Sequence, residues 1–190
     1  MQRTRTDGHR RIIFYYILPI LVFATLIAVD QVSKHVLKNV LTRRGSVTVI
    51  RNFFWLSYVE NKGAAWGIFS SASWGQIFLK VLTVIALIGF CVFYYFAVKK
   101  QRKWLMYALI FIIGGTIGNF IDRIFLHYVI DFLSFNFFGY DFPVFNFADC
   151  FLVVGVIMLL IYFLFMDDTA LFKKKSKEEN QIENEDSHAD

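Results

Sequence analysis

Charge is missing from four long stretches of this chain, and that absence constrains the fold more than any residue present. Ile12–Val29, Val81–Val98, Trp104–Ile121 and Cys150–Met166 contain no Asp, Glu, Lys or Arg. Each is about 17–18 residues long, which at roughly 1.5 Å per residue nearly crosses a hydrocarbon core of roughly 30 Å. Hydrophobic residues make up 57% and aromatics 19% of the 190 residues, too much apolar surface for a soluble domain of this size to hide. The stretches predict an α-helical membrane protein with four transmembrane helices, at about 12–29, 76–98, 104–121 and 148–166. The first is read as a retained helix, since it is long, contains Pro19 and lacks a small-residue cleavage site before Asp30.

Other absences narrow the chemistry. There are two cysteines and no C-x-x-C, so Cys91 and Cys150 read as small apolar packers; a Cys150–His127 nucleophile is open on paper, with nothing marking it as activated. The four histidines show no H-E-x-x-H spacing, so no metal is expected. There is no G-x-S-x-G for an activated serine, no glycine-rich loop followed by lysine for a phosphate, and no G-x-G-D. No cofactor is expected. Carboxylates remain.

The charge that is present is grouped. Arg3, Arg5, Arg10 and Arg11 precede the first span, Lys99, Lys100, Arg102 and Lys103 separate the second and third, and Lys173, Lys174, Lys175 and Lys177 follow the fourth. Four crossings put all three groups on one side, which the positive-inside rule makes cytoplasmic, with both termini there. The net charge of +5 thus reflects topology, and a nucleic-acid partner is not expected, because the basic residues are shared among three segments. Residues 1–11 read as a basic cytoplasmic tail that anchors to anionic lipid, 12–167 as the membrane-embedded domain, and 168–190 as a charged, disordered tail. Two outer segments remain, 30–75 and 122–147. Gly45–Asn61 is rich in β-branched and aromatic residues with a plausible turn at Arg51-Asn52, predicting a β-hairpin or small cradle at the membrane surface. Gly139–Pro143 reads as a turn.

Asp30, Glu60, Asp122, Asp131, Asp141 and Asp149 all fall in or beside those outer segments. A carboxylate near hydrocarbon costs several kcal/mol by order of magnitude unless paired or hydrated, so several on one face point to a site. Asp131 lies in the apolar run Tyr128–Leu133, and Asp149 follows Phe145-Asn146-Phe147-Ala148. If the two meet, they share a proton, as an aspartic protease requires; alternatively, Asp149 is the N-cap of the fourth helix. Gly114, Gly115 and Gly118 share a helix face, which admits either a neighbouring helix or an extended peptide. Asn119, Asp122 and Arg123 continue that helix, with Asp122 and Arg123 either an ion pair or an orienting group.

Five motifs in order resemble the lipoprotein signal peptidase (signal peptidase II) family. They are Asp30-Gln31-Val32-Ser33-Lys34, Asn61-Lys62-Gly63-Ala64-Ala65-Trp66-Gly67, Gly114 through Arg123, Val129-Ile130-Asp131-Phe132 and Phe145-Asn146-Phe147-Ala148-Asp149. The resemblance covers roughly Ile20 to Met166. It implies that Asp131 and Asp149 are the catalytic dyad, that Asn61, Gly63, Asn119, Asp122, Arg123 and Asn146 shape the site, and that Asp30 and Lys34 belong to the same cluster. It implies a bacterial cytoplasmic-membrane enzyme that acts as a monomer, without cofactor, on prolipoproteins carrying diacylglycerol on the lipobox cysteine, cutting on the N-terminal side of that cysteine. Cyclic peptide antibiotics such as globomycin are implied ligands. On this reading the third-span glycines leave room for the substrate backbone, and the phenylalanine-rich loops cover its acyl chains. Glu60 departs from the family pattern and is expected to alter the local charge.

Two rivals remain from other classes. A small transporter or channel subunit would place its acids near mid-bilayer and repeat its halves, and a scaffold would need no acids at all. A carboxylate-to-amide scan separates the three.

Overall fold

The computed structural model describes residues 11–63 and 74–166. The expected basic and charged tails, and Ala64 to Gly67 of the second motif, therefore lie outside the described residues, apart from Arg11. Among the described residues, four helices are long and apolar enough to cross a membrane: Ile13–Arg44, Gly75–Lys99, Lys103–Phe125 and Phe147–Met166. We number their α-helical parts α1 (Leu18–Arg44, preceded by a π-type turn), α2 (Gly75–Lys99), α3 (Lys103–Phe125) and α4 (Phe147–Ile161, followed by a π-type turn).

Helix α1 outruns its predicted span. It continues unbroken past Val29 to Arg44 and stops where Gly45, at φ 76°, sends its N–H back to the Leu41 carbonyl. That is a positive-φ helix stop, which glycine makes without steric cost. Asp30 and Lys34 do not end the helix, because they lie one turn apart on its inner face and pair at 2.8 Å. Leu37 and Leu41 then carry the same helix onto the sheet.

The sheet is antiparallel, in the order β1 (Val47–Ile50), β2 (Phe54–Asn61), β3 (Val129–Phe137) and β4 (Tyr140–Asp141). Arg51 and Asn52 fall in the turn between β1 and β2, with Asn52 at φ 60°. The predicted Gly139–Pro143 turn begins one residue earlier, with Phe138 and Gly139 both at positive φ, and Tyr140 and Asp141 already form β4. No strand is predicted over residues 129–137. They form the longest strand: Val129–Leu133 is buried on both faces and shows no alternation, whereas Leu133-Ser134-Phe135-Asn136-Phe137 alternates.

Helix α3 is central and the most buried, packed against α1, α2 and α4. The other helices turn Ile20, Leu21, Ile77, Ile85, Ile157 and Leu160 outward, a surface suited to lipid. Because lipid tails are as apolar as leucine, such helices associate through close packing and polar contacts. The glycines provide the close packing. A Cβ on Gly114 would lie 3.1 Å from Leu26 of α1, one on Gly118 2.6 Å from the Asp30 carboxylate, and one on Gly115 would run into the Ala148 carbonyl of α4. The idea that this face receives a substrate backbone is corrected: α1 and α4 already occupy it.

Candidate active site

The start of α4 is the keystone. Asn146 is its N-cap, accepting the Asp149 N–H at 3.1 Å, while the Asp149 carboxylate accepts the Asn146 N–H at 3.1 Å. This reciprocal capping box corrects the reading of Asp149 as the N-cap; it is the third helical residue, and its carboxylate is aimed by the helix start. The residue before the cap is fixed to the sheet. Phe145 takes N–H bonds from Phe132 and Leu133 and returns one to the Leu133 carbonyl, and its ring stacks on Phe135 at 5.7 Å. The cap is thereby held beside β3, where Asp131 sits.

Asn146 touches both carboxyl groups. Its side-chain amide donates to Asp131 Oδ1 at 2.6 Å, to Asn119 Oδ1 at 3.0 Å and to the Ile130 carbonyl at 3.2 Å. Asn61, across the sheet, donates to Asp131 Oδ2 at 2.9 Å and accepts the Gly63 N–H. Asn119 of α3 donates to Asp149 Oδ1 at 2.8 Å. Asp131 is only 2% exposed. Burial first, and then the charge of Asp149, pushes its carboxyl up to about 7; the amides of Asn61 and Asn146, and Lys34, pull the other way.

Beneath this lies a buried ionic cluster. Lys34 is 1% exposed and uses all three ammonium donors, on Asp30 at 2.8 Å, Asp122 at 3.2 Å and Asn119 Oδ1 at 2.9 Å. Asp30 also accepts the Ala148 N–H at 2.9 Å, and Asp122 accepts the Ile130 N–H at 3.0 Å. One cluster thus ties α1 and α3 to both β3 and the first turn of α4. A buried charge group this fully satisfied is costly to break by removing one member, by about 3–5 kcal/mol. The expected Asp122–Arg123 alternative resolves against an ion pair, since Asp122 pairs with Lys34. Arg123 instead donates to the Gly63 carbonyl at 3.3 Å, and its Nε has no hydrogen-bond partner among the described residues.

Asp131 and Asp149 line one cavity of about 1090 Å³, with Asn61, Asn119 and Arg123. Its remaining wall is largely apolar, from Phe142, Pro143, Val144, Phe145, Val153 and Val154. Gly63 contributes its backbone and Asp30, Lys34, Asp122 and Asn146 support from behind. Glu60 also borders the cavity, but its carboxylate accepts the Tyr58 hydroxyl at 2.8 Å, two residues back on the same strand face, opposite to that of Asn61. Asp141 stands apart, exposed, bonded to Asn136 at 2.7 Å. Cys150 borders the cavity, whereas His127 Nδ1 lies 3.1 Å from Lys80 Nζ. Among the described residues no three His, Cys, Asp or Glu side chains gather as a metal site. Sequence reasoning missed Gln31, whose amide bridges Asp30, the Gly118 carbonyl and Asp122 at 3.0–3.1 Å. Its position three residues before Lys34 on the same helix face was the available signal.

The sequence matches the family model described as signal peptidase (SPase) II over residues 22–165. Two solved bacterial membrane enzyme structures, obtained by the in meso method at 2.3 and 1.9 Å resolution, are each 35% identical to it. The first aligns with a TM-score of 0.65 over 77% of this chain and 87% of its own; the second reaches 0.69 over 80% and 96%. The chain belongs to the signal peptidase II family, and is a membrane protease of lipoprotein signal-peptide processing.

Proposed function

We propose that the protein is an aspartic endopeptidase that removes the signal peptide from diacylglyceryl-modified prolipoproteins, cutting on the N-terminal side of the lipidated cysteine. One observation carries this reading. Two carboxyl groups, bridged by a single asparagine, share a cavity whose other wall is apolar. As the oxygen of water attacks the scissile carbonyl carbon, one carboxylate takes the water proton and the other carboxyl gives its proton to the carbonyl oxygen. Collapse of the tetrahedral intermediate breaks the C–N bond and delivers a proton to the departing amine. The dyad ends with the single proton it began with. The apolar wall fits acyl chains, and a site between helices fits a substrate arriving sideways from the bilayer.

The sheet end of the bundle is, on this reading, the outer side of a bacterial cytoplasmic membrane. The opposite end carries Lys99, Lys100, Arg102 and Lys103 at the short α2–α3 connection, which the positive-inside rule places in the cytoplasm together with both termini. Reporters fused after Lys103 and after Phe138 are expected to read opposite sides; the same side for both refutes this orientation.

Purified protein given a synthetic diacylated prolipoprotein peptide is expected to release a product whose first residue is the lipidated cysteine, at a rate that a strong chelator leaves unchanged. Mass spectrometry of the product decides the bond. A cut elsewhere, or activity lost to the chelator and restored by zinc, refutes the proposal.

A further inference from the structure

The two carboxyl groups are not equivalent, and the buried lysine behind them explains why. Asp131 is on a strand, 2% exposed, and its carboxyl takes only side-chain amides, from Asn61 and Asn146. Asp149 is half-buried in the first turn of α4, where the unpaired N–H groups of a helix favour negative charge. Asn119 adds a second asymmetry. A lysine ammonium has only donors, so the Asn119 atom facing Lys34 must be the carbonyl oxygen, and the NH₂ is thereby turned toward Asp149. An amide whose oxygen binds a cation is a stronger donor from its nitrogen.

We propose that Lys34 is a positioning residue of the reaction: through Asn119 it orients and polarises the donor that keeps Asp149 a carboxylate, making Asp149 the base toward water and leaving the shared proton on Asp131. This rests on the dyad reading above. In the forward step Asp149 takes the proton from water as the new C–O bond forms, and Asp131 gives its proton to the carbonyl oxygen. As the C–N bond breaks, the proton on Asp149 passes to the amine and Asp131 recovers its own. The upward shift of the Asp131 carboxyl, caused by burial and the charge of Asp149, accords with this division; the direct pull of Lys34 on Asp131 is downward, so its part is the orientation of Asn119. Other charged or titratable groups around the pair are Arg123 and Asp122 on α3, Asp30 on α1, Glu60 and Lys62 at the end of β2, and the Cys150 thiol on α4.

The test is the pH profile of kcat/KM for cleavage of the diacylated peptide. The acidic limb reports ionisation of the base, and the alkaline limb loss of the proton held by the acid. Asn119→Ala removes a donor to Asp149 and is expected to raise the acidic limb by about half to one pH unit. Asn61→Ala removes a donor to Asp131 and is expected to raise the alkaline limb by a similar amount, because the protonated form then persists to higher pH. The neutralised cluster Lys34→Met/Asp30→Asn/Asp122→Asn, which leaves no buried charge uncompensated, is expected to move the acidic limb in the direction of Asn119→Ala. Where that variant fails to insert, Asn119→Ala decides, since Asn119 is the side chain bonded to both Lys34 and Asp149. Exchange of the two limbs between Asn119→Ala and Asn61→Ala reverses the roles and overturns the proposal. A uniform loss at every pH, with both limbs fixed, makes Lys34 merely structural and overturns it too. Retained cleavage by Asp131→Asn or Asp149→Asn is a different failure, that of the dyad itself.

Discussion

Asp131→Asn and Asp149→Asn are each expected to abolish cleavage while the protein still inserts and folds. The amide has the size of the carboxyl but neither takes a proton from water nor shares one. General acid–base catalysis contributes about 10²–10⁴-fold, and losing one member of a pair that acts together removes the function of both. The structural cost is smaller. Each carboxyl accepts one N–H on each oxygen: Asp131 from Asn61 and Asn146, Asp149 from Asn119 and the Asn146 backbone. An asparagine keeps one of these two bonds and leaves one donor facing its NH₂, a penalty of about 1–3 kcal/mol. For Asp149 this includes half of the capping box, on the order of 1 kcal/mol. Activity therefore falls by orders of magnitude while thermal unfolding shifts by several degrees. Asp141→Asn is the control, since its exposed carboxyl bonds only Asn136 in the β3–β4 hairpin. Turnover measured beside thermal melting separates the cases. An inactive Asp141→Asn with an active Asp131→Asn refutes the choice of dyad, and inactivity of Asp149→Asn that follows only from unfolding returns that residue to a capping role.

Both members of the candidate pair were legible because a carboxylate in an apolar run is conspicuous without any knowledge of its neighbours. What joins them was not legible. Asn146 and Asp149 stand three apart, the spacing of a capping box, yet only the bonds of Phe145 to β3 reveal that the cap lies against Asp131. The four spans were visible because hydropathy measures the solvent a segment prefers. It does not measure where a helix ends, and so α1 was cut short at Asp30, whose charge is satisfied inside the protein by Lys34. The first half of strand β3 escaped for the complementary reason: Val129–Leu133 is buried throughout, and alternation vanishes when both faces are covered, whereas the alternation of Leu133–Phe137 was there to be read. The glycine spacing gave the face but left open what lay on it. Leu26 and Asp30 of α1 and Ala148 and Leu152 of α4 supply the answer, and none is close in sequence.

Gly115→Ala, one added methyl group, is expected to lower both stability and turnover. The new Cβ would meet the Ala148 carbonyl oxygen and come within 2.9 Å of Leu152 Cγ and 3.0 Å of the Leu152 backbone nitrogen. Two of these three are backbone atoms of α4, so no side-chain rotation relieves the contact and the helix itself must move. Overpacking of a close interface costs typically about 1–3 kcal/mol, occasionally more. The consequence for catalysis is larger than for stability. Ala148 is the residue before Asp149, and its N–H is bonded to Asp30, so α4 cannot shift without carrying the Asp149 carboxyl away from Asp131 and straining the ionic cluster. A misplacement of about 1 Å in a reacting group costs on the order of 10²-fold in rate. Gly89→Ala provides the comparison, because a Cβ there meets nothing within 4 Å; its turnover should match the unsubstituted protein and its melting temperature should equal or slightly exceed it, since alanine favours a helix interior. The kcat of both variants, read beside their melting curves, decides the matter. A Gly115→Ala protein with unchanged kcat and unchanged melting would mean that α3 and α4 do not approach this closely, and that the position of Asp149 is set by something other than the glycine contact.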